Sequence, residues 1–149
     1  MEVVKVELIR ISDVQKTYKT GTVALYDFNL SIKKGEFVFV IGASGSGKST
    51  LIKMLYREEK PDKGSIIIGG INVAKLRNRK VYALRRKLGV VFQDFKLLPK
   101  LTVYENVAFA LRHSKLSNEE KDKKIRGLLE LVDLADRAEN YPAQLSGGQ

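Results

Sequence analysis

One octapeptide in this chain carries the residue types that phosphate chemistry needs. Residues 42–49 read Gly-Ala-Ser-Gly-Ser-Gly-Lys-Ser and fit the pattern G-x-x-x-x-G-K-[ST]. Glycines let the backbone turn tightly and aim successive N–H groups inward, which makes an anion-binding concavity. In such a loop the lysine reaches the β- and γ-phosphates of a nucleotide and the hydroxyl ligates Mg²⁺. The pattern therefore predicts Lys48 as the phosphate-binding cation and Ser49 as a magnesium ligand.

The segments on both sides of this loop agree with that interpretation. Residues 36–41 form a nearly all-apolar run between Gly35 and Gly42, which is typical of a strand buried in a parallel sheet. After the loop, apolar residues recur at helical spacing: Leu51, Ile52, Met54 and Leu55. The predicted helix ends before Pro61, because proline cannot extend a helix. A glycine-rich turn with a surface lysine is the alternative, and the predicted strand-loop-helix context disfavours it.

Composition excludes several other kinds of site. The chain has 149 residues, no cysteine and one histidine, His113, so thiolate and multi-histidine metal centres are excluded. Its longest apolar run is too short to cross a bilayer. The formal net charge is +10, and residues 75–87 are densely basic with no acidic residue. A solvated helix face is the interpretation we favour for this block, and a nucleic-acid or anionic-lipid surface is the alternative.

Short antiparallel strands are predicted in the first half of the chain. Residues 7–11 and 28–32 alternate apolar with polar side chains. Residues 65–73 contain two apolar runs joined by Gly69 and Gly70, a strong signal for a two-residue hairpin turn.

Helices dominate the second half. The pattern predicts a basic helix over residues 81–87 and a buried strand over 88–92 that ends at Gln93. Two capping boxes then predict helix starts, Thr102-x-x-Glu105 and Ser117-x-x-Glu120.

With these features in place, the chain resembles the nucleotide-binding domain of ATP-binding-cassette (ABC) proteins over essentially its whole length. Residues 42–49 match the Walker A loop, Gln93 matches the Q-loop, and Leu-Ser-Gly-Gly-Gln at 145–149 matches the signature motif. Tyr18, thirty positions before Lys48, matches the aromatic residue that stacks on adenine. Without the Walker A loop, residues 145–149 would be read as a flexible tail.

The resemblance implies an α/β, P-loop NTPase fold of the ABC ATPase type. We expect an antiparallel β subdomain and a truncated parallel core sheet within residues 1–95, and a helical subdomain over 96–149. It implies ATP and Mg²⁺ as cofactors, and a head-to-tail homodimer in which each ATP lies between Walker A of one subunit and the signature motif of the other. The implied nucleotide-binding residues are Tyr18, Val23, Gly42, Ala43, Ser44, Gly45, Ser46, Gly47, Lys48, Ser49, Thr50, Ser146, Gly147, Gly148 and Gln149.

The resemblance also assigns roles to Gln93 and to the residues that follow it. The resemblance implies Lys48 and Gln93 as catalytic residues, with Gln93 also a Mg²⁺ ligand beside Ser49; a polar residue at a strand end is the alternative for Gln93. Residues 95–101 follow it, where the family receives the coupling helix of an integral membrane subunit. Phe95, Leu97 and Leu98 either form that apolar dock or pack within the helical subdomain.

Within the family, four segments are most similar to the FtsE-like cell-division ATPases: residues 34–39, 55–61, 85–95 and 102–111. This resemblance implies an FtsX-like membrane partner and a cytoplasmic location, peripheral on the inner face of the bacterial plasma membrane. ATPases of lipoprotein-release or macrolide-export systems are the alternative. Nucleic-acid-associated ABC proteins are disfavoured, because residues 93–145 lack the sustained heptads of their inserted arms.

The family's Walker B strand, catalytic glutamate, D-loop and switch histidine all follow the signature motif. Residues 90–94 imitate Walker B at the position of the Q-loop, and residues 128–133 imitate it with helical spacing. We therefore expect these 149 residues to bind ATP and Mg²⁺ weakly and to hydrolyse ATP negligibly. Since the Walker B strand lies beside the Walker A strand in the family, we also expect marginal stability or self-association.

Overall fold

A computed structural model describes residues 7–148. Within it the chain divides into two compact units, one ending at Val90 and the other beginning at Val91. Each unit is described by itself.

The first unit is built on a four-stranded antiparallel sheet. Its strands are β1 (Glu7–Thr17), β2 (Val23–Lys33), β3 (Lys63–Ile68) and β4 (Ile71–Asn72). They lie in the order β2-β1-β3-β4, and every pairing is antiparallel. The pairing of Ile68 with Ile71 confirms the hairpin predicted around the two glycines.

Two α-helices accompany this sheet. Helix α1 (Lys48–Leu55) follows the glycine-rich loop, and α2 (Val81–Arg85) continues from a 3-10 turn at Asn78–Lys80. The core joins both helices to one face of the sheet and contains Ile11, Val14, Leu25, Leu51, Met54, Ile66, Ile68, Val73 and Leu84.

A bulge in β1 sets which of its side chains enter the core. Strict alternation would direct Ile11 and Val14 to opposite faces, yet both are buried. The pairing register with β2 shifts between these two residues, and Asp13 has a left-handed backbone with φ of 50°. Because a bulge inserts an extra residue into one strand, it returns Val14 to the same face as Ile11.

Two arginines join the end of α1 to the segment around β4 and α2. Arg57 is buried, and its Nε donates to the carbonyl of Val73 at 3.0 Å. Arg85 donates from Nε to the carbonyl of Tyr56 at 3.0 Å and from Nη2 to that of Arg57 at 3.3 Å. Burial, and then the charge of Arg85, lowers the pKa of Arg57. Cations at a helix C-terminus satisfy its last carbonyls and interact favourably with its dipole.

The parallel-strand predictions are wrong for the residues that the structure describes. Neither residues 36–41 nor residues 88–92 form a strand. The side chains of residues 36–41 are exposed, with Phe37 at 84% and Ile41 at 89% of full accessibility. In the second run Val91 is 98% exposed, whereas Leu88, Val90 and Phe92 are half-buried. A strand exists through its ladder to a neighbour, and neither run finds such a neighbour within residues 7–148.

The second unit is helical. Helix α3 (Val103–Leu111) and helix α4 (Asn118–Leu131) are followed by 3-10 turns at Ala135–Arg137 and Pro142–Gln144. Both predicted capping boxes are confirmed, since Thr102 and Ser117 each exchange two hydrogen bonds with the glutamate three residues later. The buried core of this unit consists of Val103, Ile125 and Leu129.

A polar contact joins α3 to α4. The Tyr104 hydroxyl donates to Oδ1 of Asp122 at 2.7 Å, and Arg126 donates from Nε to the same carboxylate. The hydrogen bond from Tyr104, and then that from Arg126, lowers the pKa of Asp122. The same bond to Asp122 raises the pKa of Tyr104.

Among the helices of residues 7–148, none has the length and apolar character that a membrane span requires.

The bulge in β1 requires a glycine at position 64 of β3, which can be tested by substitution. Gly64 has φ of +82°, and a Cβ there would lie well inside van der Waals contact with the carbonyls of Ser12 and Asp13. Gly21 has nearly the same φ, +83°, and open space around the corresponding position. We expect Gly64→Ala to lower the free energy of unfolding by about 2 kcal/mol more than Gly21→Ala. Urea titration of the two variants measures this difference, and equal effects would contradict the bulge geometry.

Candidate functional site

The loop that precedes α1 has the backbone shape that its sequence predicts. Gly45 and Gly47 have left-handed backbones, with φ of 80° and 88°. The amide of Ser46 donates to the carbonyl of Ala43, and the amide of Leu51 donates to that of Gly47. Gly47 is the N-cap of α1, and no side chain caps this helix start. Backbone N–H groups in the first turn of a helix lack partners within the helix, so this end of α1 suits an anionic ligand.

Gly47 is also required by the neighbouring strand. A Cβ at this position would lie well inside contact with the carbonyl oxygen of Ala24 and 2.9 Å from Cδ2 of Leu25. The beginning of β2 therefore lies directly against the loop. Any side chain at position 47 would push the loop away from the sheet, so only glycine fits here.

The Lys48 ammonium group is held by neutral acceptors of its own loop. Nζ donates to the carbonyls of Gly42 and Ala43 at 2.7 Å each and to Oγ of Ser46 at 3.3 Å. Within residues 7–148, no carboxylate forms an ion pair with it. The loop therefore carries a positive charge that no internal anion neutralises.

Tyr18 is connected to α1 through its hydroxyl. It follows β1 in a turn closed by the hydrogen bond from its amide to the carbonyl of Thr22. The hydroxyls of Tyr18 and Thr50 share a hydrogen bond of 3.0 Å, and Thr50 is buried. Ser49 is exposed beside Thr50, and Val23 is 59% exposed at the start of β2.

Lys16 is a residue near Tyr18 that the sequence reasoning missed. Its Nζ lies 5.6 Å from the centroid of the Tyr18 ring, a cation–π distance. It also forms ion pairs with Glu59 at 3.2 Å and Asp62 at 3.6 Å. No local pattern signals this arrangement, because its carboxylates come from a distant part of the chain.

Gln93 lies in an exposed turn of the second unit. The ion pair between Asp94 and Lys96, at 2.6 Å, follows it, and the hydrogen bond from Lys96 lowers the pKa of Asp94. Phe95 and Lys96 both have left-handed backbones, with φ of 55° and 52°. The predicted strand does not precede Gln93, so this residue is positioned by a turn.

The apolar residues that follow Gln93 are all partly exposed, and one of them lines a groove. Phe95 is 57% exposed, Leu97 48% and Leu98 36%. Leu97 lines an apolar groove of about 310 Å³ together with Val103, Asn106, Val107, Leu128, Leu129, Val132, Leu134, Pro142 and Leu145. Both interpretations of residues 95–98 thus keep a structural counterpart.

The predicted signature residues lie at the end of the same unit. Leu145 packs against the core of Val103, Ile125 and Leu129. Residues 146–148 are exposed, and a Cβ on Gly147 would lie 4.0 Å from Cζ of Phe95. Gln149 lies outside the described residues.

The hydroxyl pair of Tyr18 and Thr50 yields a prediction about unit 1. We expect the variants Tyr18→Phe and Thr50→Val to be coupled by about 1 kcal/mol, because either change leaves the other hydroxyl without its partner. Urea unfolding of the two single variants and the double variant completes the cycle. Strictly additive effects would mean that the hydrogen bond does not form in solution.

Comparison with known proteins identifies the family. The profile of the ABC transporter family matches residues 25–149. The chain is 50% identical over 142 residues to the cell division ATP-binding protein FtsE of Bacillus subtilis, covering 95% of this chain and 62% of that protein. It is 53% identical over 143 residues to the methionine import ATP-binding protein MetN of Streptococcus thermophilus, covering 92% of this chain and 40% of MetN.

Solved structures agree with these relatives. The ATP-binding cassette MJ0796, in its dimeric post-hydrolysis state bound to ADP and Pi, superposes with a TM-score of 0.84 at 41% identity. The match covers 95% of this chain and 64% of that one, so the chain spans less than two thirds of these relatives. The likeness confirms the expected ABC ATPase fold class, although the described residues form only its antiparallel sheet and helical parts. The match over residues 25–149, together with these identities, shows that the chain belongs to the ABC transporter family.

Proposed function

We propose that this chain binds ATP with Mg²⁺ at residues 42–50 and supplies the nucleotide-binding site of the ATPase subunit of a membrane ABC complex, while its 149 residues by themselves hydrolyse ATP negligibly. The single observation that carries the proposal is the position of the Lys48 ammonium group. It lies on the carbonyls of Gly42 and Ala43, at a helix start that no side chain caps. Two sources of positive potential, the lysine and the helix N-terminus, thus meet at one loop.

The chemistry of binding follows from an exchange of acceptors at Lys48. Its present partners are neutral oxygens, and phosphate oxygens bear formal charge and make stronger, charge-assisted hydrogen bonds. A triphosphate therefore competes well for the lysine, while the N–H groups of the loop receive further phosphate oxygens. The hydroxyl of Ser49 is the proposed Mg²⁺ ligand of this loop, and the metal would neutralise charge on the phosphates.

The second half of the proposed site comes from another copy of the chain. Residues 146–149 contain a hydroxyl, two glycines and a glutamine, which suit close backbone approach to a γ-phosphate. In the described part of this segment the side chain of Ser146 and the two glycines are exposed. The 41% identity to a cassette solved as a dimer with ADP and Pi supports pairing of two copies, which we propose to be head to tail.

We assign Tyr18 to the adenine ring and Val23 to the ribose. The half-buried Tyr18 ring is fixed at its hydroxyl by Thr50, two residues after Lys48, so base and phosphate contacts would be held by the same helix. A platform anchored in this way needs little reordering when a base stacks on it.

For the role of the complex, we propose an FtsE-type function in cell division with an FtsX-like integral membrane subunit. The 50% identity to FtsE over 95% of this chain supports it. The similar identity to MetN makes the ATPase of a methionine importer the second candidate. Co-purification with a membrane subunit of either type would separate the two roles.

The proposal predicts a phosphate-specific effect at Lys48. We expect Lys48→Met to weaken the binding of Mg-ATP and of magnesium tripolyphosphate by about tenfold or more, because a charge-assisted hydrogen bond is lost. Lys53 is the matched control, since it lies on the same helix and pairs with Glu58 at 3.4 Å. Calorimetric titration of the 149-residue chain measures both affinities. Equal losses in Lys48→Met and Lys53→Met, or no binding by the parent chain, would contradict the proposed site.

A further inference from the structure

One stretch near the middle of the chain carries charged residues of a single sign. Residues 63–93 contain eight lysines and arginines and neither aspartate nor glutamate. The phosphate loop lies outside this stretch, so the proposed nucleotide site does not account for its charge.

The structure separates one of these cations from the rest. Arg85 donates to the carbonyls of Tyr56 and Arg57, so its charge is used at the end of α1. Lys63 lies apart from these, in β3. The remaining six are exposed around the 3-10 turn and α2, and we call them the basic surface: Lys75, Arg77, Arg79, Lys80, Arg86 and Lys87.

The described part of the chain offers the basic surface no ion-pair partner. Among the residues that the structure describes, none of its six cations has a carboxylate within 4.0 Å. Residues 63–93 contain no carboxylate that could supply one locally. Uncompensated like charges repel one another, so this surface gains from an external polyanion.

Helix α2 holds this surface in a defined orientation. Val81 and Leu84 are buried, which directs the opposite side of the segment outward. Tyr82 of α2 is 65% exposed, with Arg79 in the preceding 3-10 turn and Arg86 at the C-cap of the helix. A tyrosine between two arginines combines an apolar ring, a polar tip and charged groups, as residues at a membrane interface do.

We propose that the basic surface binds the anionic phospholipid headgroups of a membrane. Arginine forms bidentate hydrogen bonds with phosphate, and several nearby cations on one surface add their attraction to anionic lipid. The chain belongs to a family of membrane transporters, which brings such a surface close to lipid. Single-stranded nucleic acid fits less well, because residues 75–87 contain a single aromatic residue for base stacking. Duplex DNA is tested below as the competing polyanion.

The test compares two triple variants of equal charge. Arg79→Gln, Lys80→Gln and Arg86→Gln remove three cations from the basic surface. Lys121→Gln, Lys123→Gln and Lys124→Gln remove three from α4 and lower the net charge equally. Co-sedimentation with vesicles containing phosphatidylglycerol measures the partition of each chain, and vesicles of phosphatidylcholine alone are the lipid control.

We expect about a fivefold loss of partition for each cation removed from the basic surface, hence about a hundredfold for the triple variant. The α4 variant should stay within about fivefold of the parent chain, and added salt should release the parent chain from the vesicles. Circular dichroism verifies that the exposed substitutions leave the fold intact.

Three results would overturn the proposal: equal losses in the two triple variants, equal binding to both kinds of vesicle, or tighter binding to duplex DNA than to anionic vesicles at physiological salt. The variant Lys48→Met separates lipid binding from nucleotide binding. We expect it to lose ATP affinity and to retain full vesicle binding. Loss of ATP affinity and loss of lipid affinity are then separate outcomes.

Discussion

The close approach of Gly47 to the carbonyl of Ala24 is the contact on which the candidate site depends. It holds the glycine-rich loop against β2 while the loop turns into α1. Because the loop is fixed there, the amides at the helix start and the Lys48 ammonium group are directed toward one region. A side chain at position 47 would separate loop and sheet, and the lysine would lose its defined position.

The same unit shows how position decides what a cation does. Lys48 is held by loop carbonyls, Arg85 by the carbonyls at the end of α1, and Lys16 by two carboxylates beside Tyr18. Each of these cations has an assigned partner within unit 1. The basic surface lies in a stretch, residues 63–93, that contains no acidic residue, and this local excess of positive charge, more than the net charge of +10, makes it a candidate interface.

Features written in local sequence could be predicted, and those that need distant partners could not. The capping boxes at Thr102 and Ser117 and the hairpin turn at Gly69 and Gly70 involve residues within a few positions of each other, and the structure contains all of them. Residues 36–41 and 88–92 are apolar, but they do not form the predicted strands. A parallel strand requires neighbours from elsewhere in the chain, and a local sequence pattern does not show whether these neighbours are present. The Tyr18–Thr50 hydrogen bond joins residues 32 positions apart, and no local sequence pattern predicts it. The identities of the site residues came from the motif, whereas their hydrogen-bond partners came only from the fold.

The central claim is that backbone amides of residues 42–50, with Lys48, receive the phosphates of ATP. Hydrogen–deuterium exchange of the 149-residue chain with and without saturating Mg-ATP tests this most directly. If the phosphates bind to these amides, exchange slows within residues 42–50 and stays unchanged in the hairpin of β3 and β4. Unchanged exchange throughout the loop, under conditions where ATP is bound, would contradict it.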